Sequence, residues 1–258
     1  MLDHSFIHVP GIGPHREREL WVKGYVDWST FLARHPHNKW RDLVASRLET
    51  SIALDTLPKR EAWRTFPCYA DRVAYLDIET EGLNAGRDHI TCVGISDGHS
   101  VEAFVQGENL EDLPQALERF DMLITYNGAQ FDLPVLATVF PEVDFKRFRH
   151  IDLRFALKRL GFRGGLKAAE KRIGLDRGEG VEGLDGYFAI LLWREHRRGT
   201  AGARETLLRY CLEDVVNLKP LMAHAYNELT RAMPIDVAPI EDATTPPIPW
   251  NADTNLVK

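Results

Sequence analysis

The chain has 258 residues, of which 44% are apolar and 27% charged, with a formal net charge of −6. That length can bury a sizeable core, as one large domain or as an ordinary domain with an appendage. The negative balance argues against a wholesale electrostatic nucleic-acid binder, which draws its affinity from many Lys and Arg contacts to phosphate. Three scattered cysteines, Cys68, Cys92 and Cys211, lack CxxC spacing, so they suggest neither a disulfide framework nor a zinc site and fit a reducing compartment. No window approaches the roughly 18 apolar residues of a membrane span, and MLDHSFIHVPGIG carries no secretory pattern; a cytoplasmic protein with no membrane partner is expected.

Residues 1–62 read as a Trp-rich helical segment. Within it, VPGIGPHRERELWVKGYVDW resembles a helix-hairpin-helix, in which a Pro-Gly-Ile-Gly turn between two helices brings backbone N–H groups to a DNA phosphate. Gly11 and Gly13 are the expected points of close approach, because glycine lacks Cβ and reaches unusual dihedrals cheaply. The competing reading is a tight turn that packs Trp21 and Trp28 onto the following domain.

From Arg72 the pattern changes. RVAYLDIE, HITCVGISD and SVEAFVQG read as three meander strands, separated by the turn sequences GLNAGRD and GHS. NLEDLPQALERF sets Leu110, Leu113, Leu117 and Phe120 at helical spacing; DMLITYN reads as a fourth strand and FDLPVLATVF as a short helix with Pro134 in its first turn. Residues 150–231 look helical nearly throughout, with breaks at LGFRGG, LDRGEG and RRGTAG, and Pro220 is expected to kink or end the last helix. This pattern describes an α/β domain, 70–232, with a mixed sheet covered on both faces, followed by a loose proline-rich tail, 233–258.

The strand VAYLDIET turns Val73, Tyr75, Asp77 and Glu79 one way and Ala74, Leu76 and Ile78 the other. It is apolar on both faces at its start, so its two acids sit at the rim of a covered core, where like charges repel. Asp132 follows a strand end, at the start of a helix, a position from which sheet proteins project functional groups. Tyr210 and Asp214, four residues apart, share one face of the last helix. Taken singly, Asp132 could cap its helix, Asp214 could be a surface acid and Tyr210 a core-edge tyrosine. Four converging carboxylates are costly unless a divalent cation balances them, and oxygen-only ligation suits Mg²⁺ or Mn²⁺.

LDIET, ITYNGAQFD and YCLEDVVNL, in that order, resemble the three motifs of the DEDD (DnaQ-like) 3′–5′ exonucleases of the ribonuclease-H-like fold. The tyrosine in the third motif matches the DEDDy subtype, and the PGIG-containing segment ahead of the domain is most similar to the YprB-like group. The resemblance implies two divalent cations: Asp77, Glu79 and Asp214 around the first, Asp77 bridging to the second, and Asp132 completing it. It also implies that Tyr210 orients the attacking water and that Asn127 touches the substrate or its water shell.

Between Lys146 and Arg172 there are ten basic residues and only two acids, Asp152 and Glu170. This +8 run is either a solvated helical face or a guide for a nucleic-acid strand. Tyr126 and Phe131 are candidates for stacking on terminal bases, with burial the alternative for Phe131; Asp152 and His150 read mainly as structural. The reading as a whole is a metal-dependent 3′–5′ exonuclease acting on single-stranded nucleic acid, DNA rather than RNA. Its alternatives are a binding module of the same fold without turnover and an RNA 3′-trimming enzyme.

Overall fold

The computed structural model describes residues 1–82, 89–175, 177, 186–241 and 243–257. Most of the expected turn GLNAGRD and part of the expected break at LDRGEG lie outside them. The chain divides into two compact units, Met1–Ala70 with Ala225–Glu241, and Asp71–His224 with Asp242–Lys258.

The first unit is helical: α1 (Pro14–Val22), α2 (Trp28–Arg34), α3 (Lys39–Ala45) and α4 (Thr50–Thr56), then a 3-10 stretch over Lys59–Cys68. Capping side chains start α2 and α3, where Asp27 and Asn38 accept from the amides of Thr30 and Arg41. The apolar cluster holds Phe6, Val9, Ile12, Leu20, Trp21, Phe31 and Val44, with Met233 and Ile235 from beyond residue 232 packed against it. Trp21 and Trp28 tie their indole N–H groups to the carbonyls of His4 (2.8 Å) and Ser5 (2.7 Å). Both rings therefore serve their own unit's core. The turn expected to join two helices is preceded only by a 3-10 turn, Leu2–His4, so one full helix, α1, flanks it. Gly11 adopts φ +83, which favours glycine, whereas Gly13 at φ −90 has no such need; a Cβ at either would meet open space.

The second unit carries one five-stranded sheet in the order β3-β2-β1-β4-β5. Its strands are β1 (Val73–Thr80), β2 (Ile90–Ser96), β3 (Val101–Val105), β4 (Met122–Thr125) and β5 (Arg149–Asp152). The meander β1–β2–β3 is antiparallel, while β1 pairs with β4, and β4 with β5, in parallel. The helices of this unit are α5 (Leu113–Leu117), α6 (Asp132–Val139), α7 (Leu153–Arg159), α8 (Leu166–Ile173), α9 (Gly186–Arg197) and α10 (Ala203–Arg231). Of α10, residues 225–231 fall in the first unit.

Two apolar layers cover the sheet. Ala74, Leu76 and Ile78 share one cluster with Val93 and with Leu113, Leu117, Val135 and Leu136 of α5 and α6. On the opposite face Cys92 and Val105 pack with α9 and α10 through Leu192, Trp193, Leu207 and Cys211. Each layer excludes water from its face of the strands, which is what a mixed sheet with a parallel half needs. Trp250, Ala252 and Leu256, in the stretch expected as a loose tail, pack against the second cluster, because their apolar surface finds a partner there.

Two expectations are corrected. Residues 149–152 form β5 rather than the start of the helical half: parallel pairing with β4 gives this short, half-polar segment the backbone partners its own side chains do not predict. α10 continues through Pro220. The lost hydrogen bond is outweighed by burial on both sides of the proline, with Leu218, Leu221, Met222 and Ala225 all withdrawn from solvent.

Candidate metal centre

The site is built where α10 lies against β1 and its neighbour β2. Asp77 lies opposite Gly94 in the antiparallel register, and Glu79 opposite Cys92. A Cβ on Gly94 would stand 2.8 Å from Val215 Cγ2 and 3.0 Å from Cys211 Sγ. The missing side chain therefore lets α10 lie directly on the sheet beside the acids. Cys211 adds a bond from its thiol to the carbonyl of Asp77, at 3.9 Å. Because Tyr210 and Asp214 are one turn apart on the face that meets β1, this close approach brings both into the pocket lined by Asp77, Glu79, Phe131 and Ile190.

One carboxylate oxygen each from Asp77, Glu79 and Asp214 lies within 4.8 Å of the others. Glu79, Asp132 and Asp214 are buried and Asp77 is partly exposed. Asp132, the first residue of α6, stands outside that group of three yet acts on it electrostatically. Burial, then the charges of Asp132, Asp214 and Glu79, push the Asp77 carboxyl well above the usual range. Glu79 is raised by burial, with the Cys92 thiol and Asp214 adding to it. Burial raises Asp132 to about 7 against the opposing backbone amides of Asp132 and Ile78. Asp214 is raised by burial although Arg177 draws it down.

Compensation among the described side chains is thin. Arg177 donates from Nη2 to Asp214 Oδ1, and the same guanidinium is bound to Glu170, Nε to Oε2 at 2.6 Å and Nη2 to Oε1 at 2.9 Å. Lys167 donates to the Tyr210 hydroxyl at 2.7 Å, and burial lowers the pKa of this lysine. Burial and the nearby acids raise the Tyr210 phenol, so it stays neutral across the physiological range. A hard divalent cation fits this donor set: three oxygens close enough to share an ion, carboxylates only, and more buried negative charge than the described side chains balance.

The residues expected on the substrate side are separate from this group. Asn127 holds φ +70, the one positive value among the described non-glycine residues. Asp152 accepts from the amides of Asn127 (2.8 Å) and Ala129 (3.2 Å), and Arg154 donates to the Asn127 side chain. The Asn127 carboxamide oxygen is thus engaged inside the protein, and Tyr126 donates its hydroxyl to the Gly164 carbonyl at 3.0 Å. Gly11 and Gly13 belong to the first unit. Sequence reasoning missed the roles of Lys167, Glu170 and Arg177. A signal existed for one of them: Glu170 is one of two acids in the basic run, and both, Asp152 and Glu170, turn out buried and bonded.

No helix among the described residues is long and apolar enough to cross a membrane. No curated protein matches the chain. Among solved structures it is similar to a family B DNA polymerase from the hyperthermophilic archaeon Pyrobaculum calidifontis, with 21% identity and a TM-score of 0.46 over 62% of this chain and 24% of that one. The chain thus spans about a quarter of that polymerase. Residues 74–226 match the profile described as RNase_H superfamily, a stretch holding the sheet almost entire and all four acids. The chain belongs to the RNase_H superfamily.

Proposed function

We propose that the protein is a metal-dependent 3′–5′ exonuclease of the DEDDy type, similar to the YprB-like group, that removes nucleotides from single-stranded ends, DNA rather than RNA. The observation that carries this reading is the trio Asp77, Glu79 and Asp214, with oxygens within 4.8 Å of one another beside Tyr210. Asp77, Glu79 and Asp214 would hold the first cation, Mg²⁺ or Mn²⁺, and Asp77 with Asp132 would hold the second. The cations, when bound, balance the buried carboxylates, bind phosphate oxygens and lower the pKa of attacking water.

The protein's own groups do the rest. Tyr210, kept neutral by burial and bonded by Lys167, orients the water through its hydroxyl and does not act as a base. Phe131 lines the pocket and offers a ring to the terminal base, while Tyr126 and Asn127, outside that lining, are assigned to the strand's path beyond it. Arg154, Lys158, Arg159 and Arg163 are exposed and supply the positive field along that path. The turn at Gly11 and Gly13 is open enough for a phosphate to reach its backbone.

A 5′-labelled single-stranded oligonucleotide tests this. Incubated with Mn²⁺, it should shorten stepwise from the 3′ end, and EDTA or Asp77→Ala should stop the shortening. Binding without shortening would replace the enzyme by a binding module. Faster shortening of RNA than of DNA would replace the substrate.

A further inference from the structure

Among the described residues, the most deeply embedded cation near the acids belongs to none of the three motifs. Arg177 is 7% exposed, and its guanidinium touches two buried carboxylates at once, Glu170 and Asp214. Glu170 is itself 1% exposed on α8, and its Oε1, which accepts from Arg177, also accepts from Asn217 Nδ2 at 3.0 Å. Asn217 stands three residues beyond Asp214 on α10, so Glu170 is fixed by α10 and in turn fixes the arginine that grips α10's acid. The planar fork makes this a directional clamp, which a lysine's single rotatable ammonium could not reproduce.

Asp214 is bonded to Arg177 through Oδ1 and still contributes an oxygen to the group shared with Asp77 and Glu79. We propose that Arg177, anchored by Glu170, is a positioning residue that fixes the Asp214 carboxylate so that its remaining oxygen faces the cation. The proposal rests on the metal-centre reading above and adds to it which residues orient that ligand. Groups that orient metal ligands commonly change affinity or activity by about 10- to 100-fold when removed.

The sign of the effect separates this role from two simpler ones. A bare positive charge beside a cation site weakens binding by repulsion, and a latch competing for Asp214 also weakens it; in both cases removing Arg177 tightens metal binding. A positioning role predicts the reverse. The test is calorimetric titration of the full-length chain with Mn²⁺ alone, on wild type, Arg177→Gln, Arg177→Lys and Glu170→Gln, each melted in EDTA beforehand to establish that it is folded.

The expected result is weaker Mn²⁺ binding in Arg177→Gln by about 10- to 100-fold, incomplete recovery in Arg177→Lys, and a loss in the same direction in Glu170→Gln. Unchanged or tighter binding in folded Arg177→Gln overturns the proposal. Should Arg177→Gln fail to fold, Glu170→Gln decides on the same criterion. A wild type that binds no Mn²⁺ overturns the metal centre itself, whereas a wild type that binds while Arg177→Gln binds equally well overturns only the positioning role.

Discussion

In the first unit Glu17, 1% exposed, receives the Ser5 hydroxyl, the amides of Phe6 and Ile7, and both terminal nitrogens of Arg64. Arg64, 3% exposed, also reaches Glu61 at 2.9 Å. In the second unit Asp77, Glu79, Asp132 and Asp214 gather where, among the described side chains, Arg177 bonded to Asp214 and the nearby Lys167 are the cations that face them. Burial alone therefore does not mark a functional acid. What distinguishes the two clusters is whether the chain supplies the donors: the first is closed on itself and holds α1 to the segment before it, while the second keeps a surplus of negative charge open to a pocket.

The comparison can be broken at either end. The largest stability effect belongs to the closed cluster. Arg64→Met leaves Glu17 and Glu61 buried without their common cation, and removing one partner from a buried ion pair costs about 3–5 kcal/mol. Urea unfolding should register that loss equally in EDTA and in Mn²⁺. A loss that Mn²⁺ reverses would mean that the two clusters do not differ in kind.

A smaller effect lies in pH. With Asp132 raised to about 7 in the folded chain and about 3.9 unfolded, the native state keeps a proton between those values that the unfolded state has released. Its contribution is thus fully present below about pH 4 and is lost as pH rises through about 7. Asp132→Asn cannot ionise, so in EDTA its margin over wild type, read as urea midpoints, should be larger at pH 8 than at pH 5. A gap that closes with rising pH would contradict the raised pKa.

Much of the second unit was legible because strand periodicity is short-range and strong. The alternation in VAYLDIET assigned Ala74, Leu76 and Ile78 to one layer and the acids to the other, as the clusters have it. The four-residue spacing of Tyr210 and Asp214 likewise needs only helix geometry to bring both to one pocket. What stayed hidden depends on long-range partners. β5 exists because β4 offers a parallel edge. Arg177 and Glu170 matter because of a meeting between α8 and α10 that no local pattern encodes. Glu17 looks like one more charge in RERELW until Arg64, far along the chain, is seen to reach it. The clearest overlooked hint was compositional: acids isolated in a basic run, Asp152 and Glu170, are the ones that become buried.

The account depends most on the claim that the surplus charge of Asp77, Glu79, Asp132 and Asp214 is completed by cations. Thermal melting of wild type and Asp77→Asn, each in EDTA and in saturating Mn²⁺, tests that claim directly. Binding at 100 times Kd stabilises by about 2.7 kcal/mol, so wild type should melt distinctly higher in Mn²⁺. Asp77→Asn, relieved of one repelling charge, should be at least as stable as wild type in EDTA and gain little from the metal. No shift in wild type, or an equal shift in Asp77→Asn, would contradict the account.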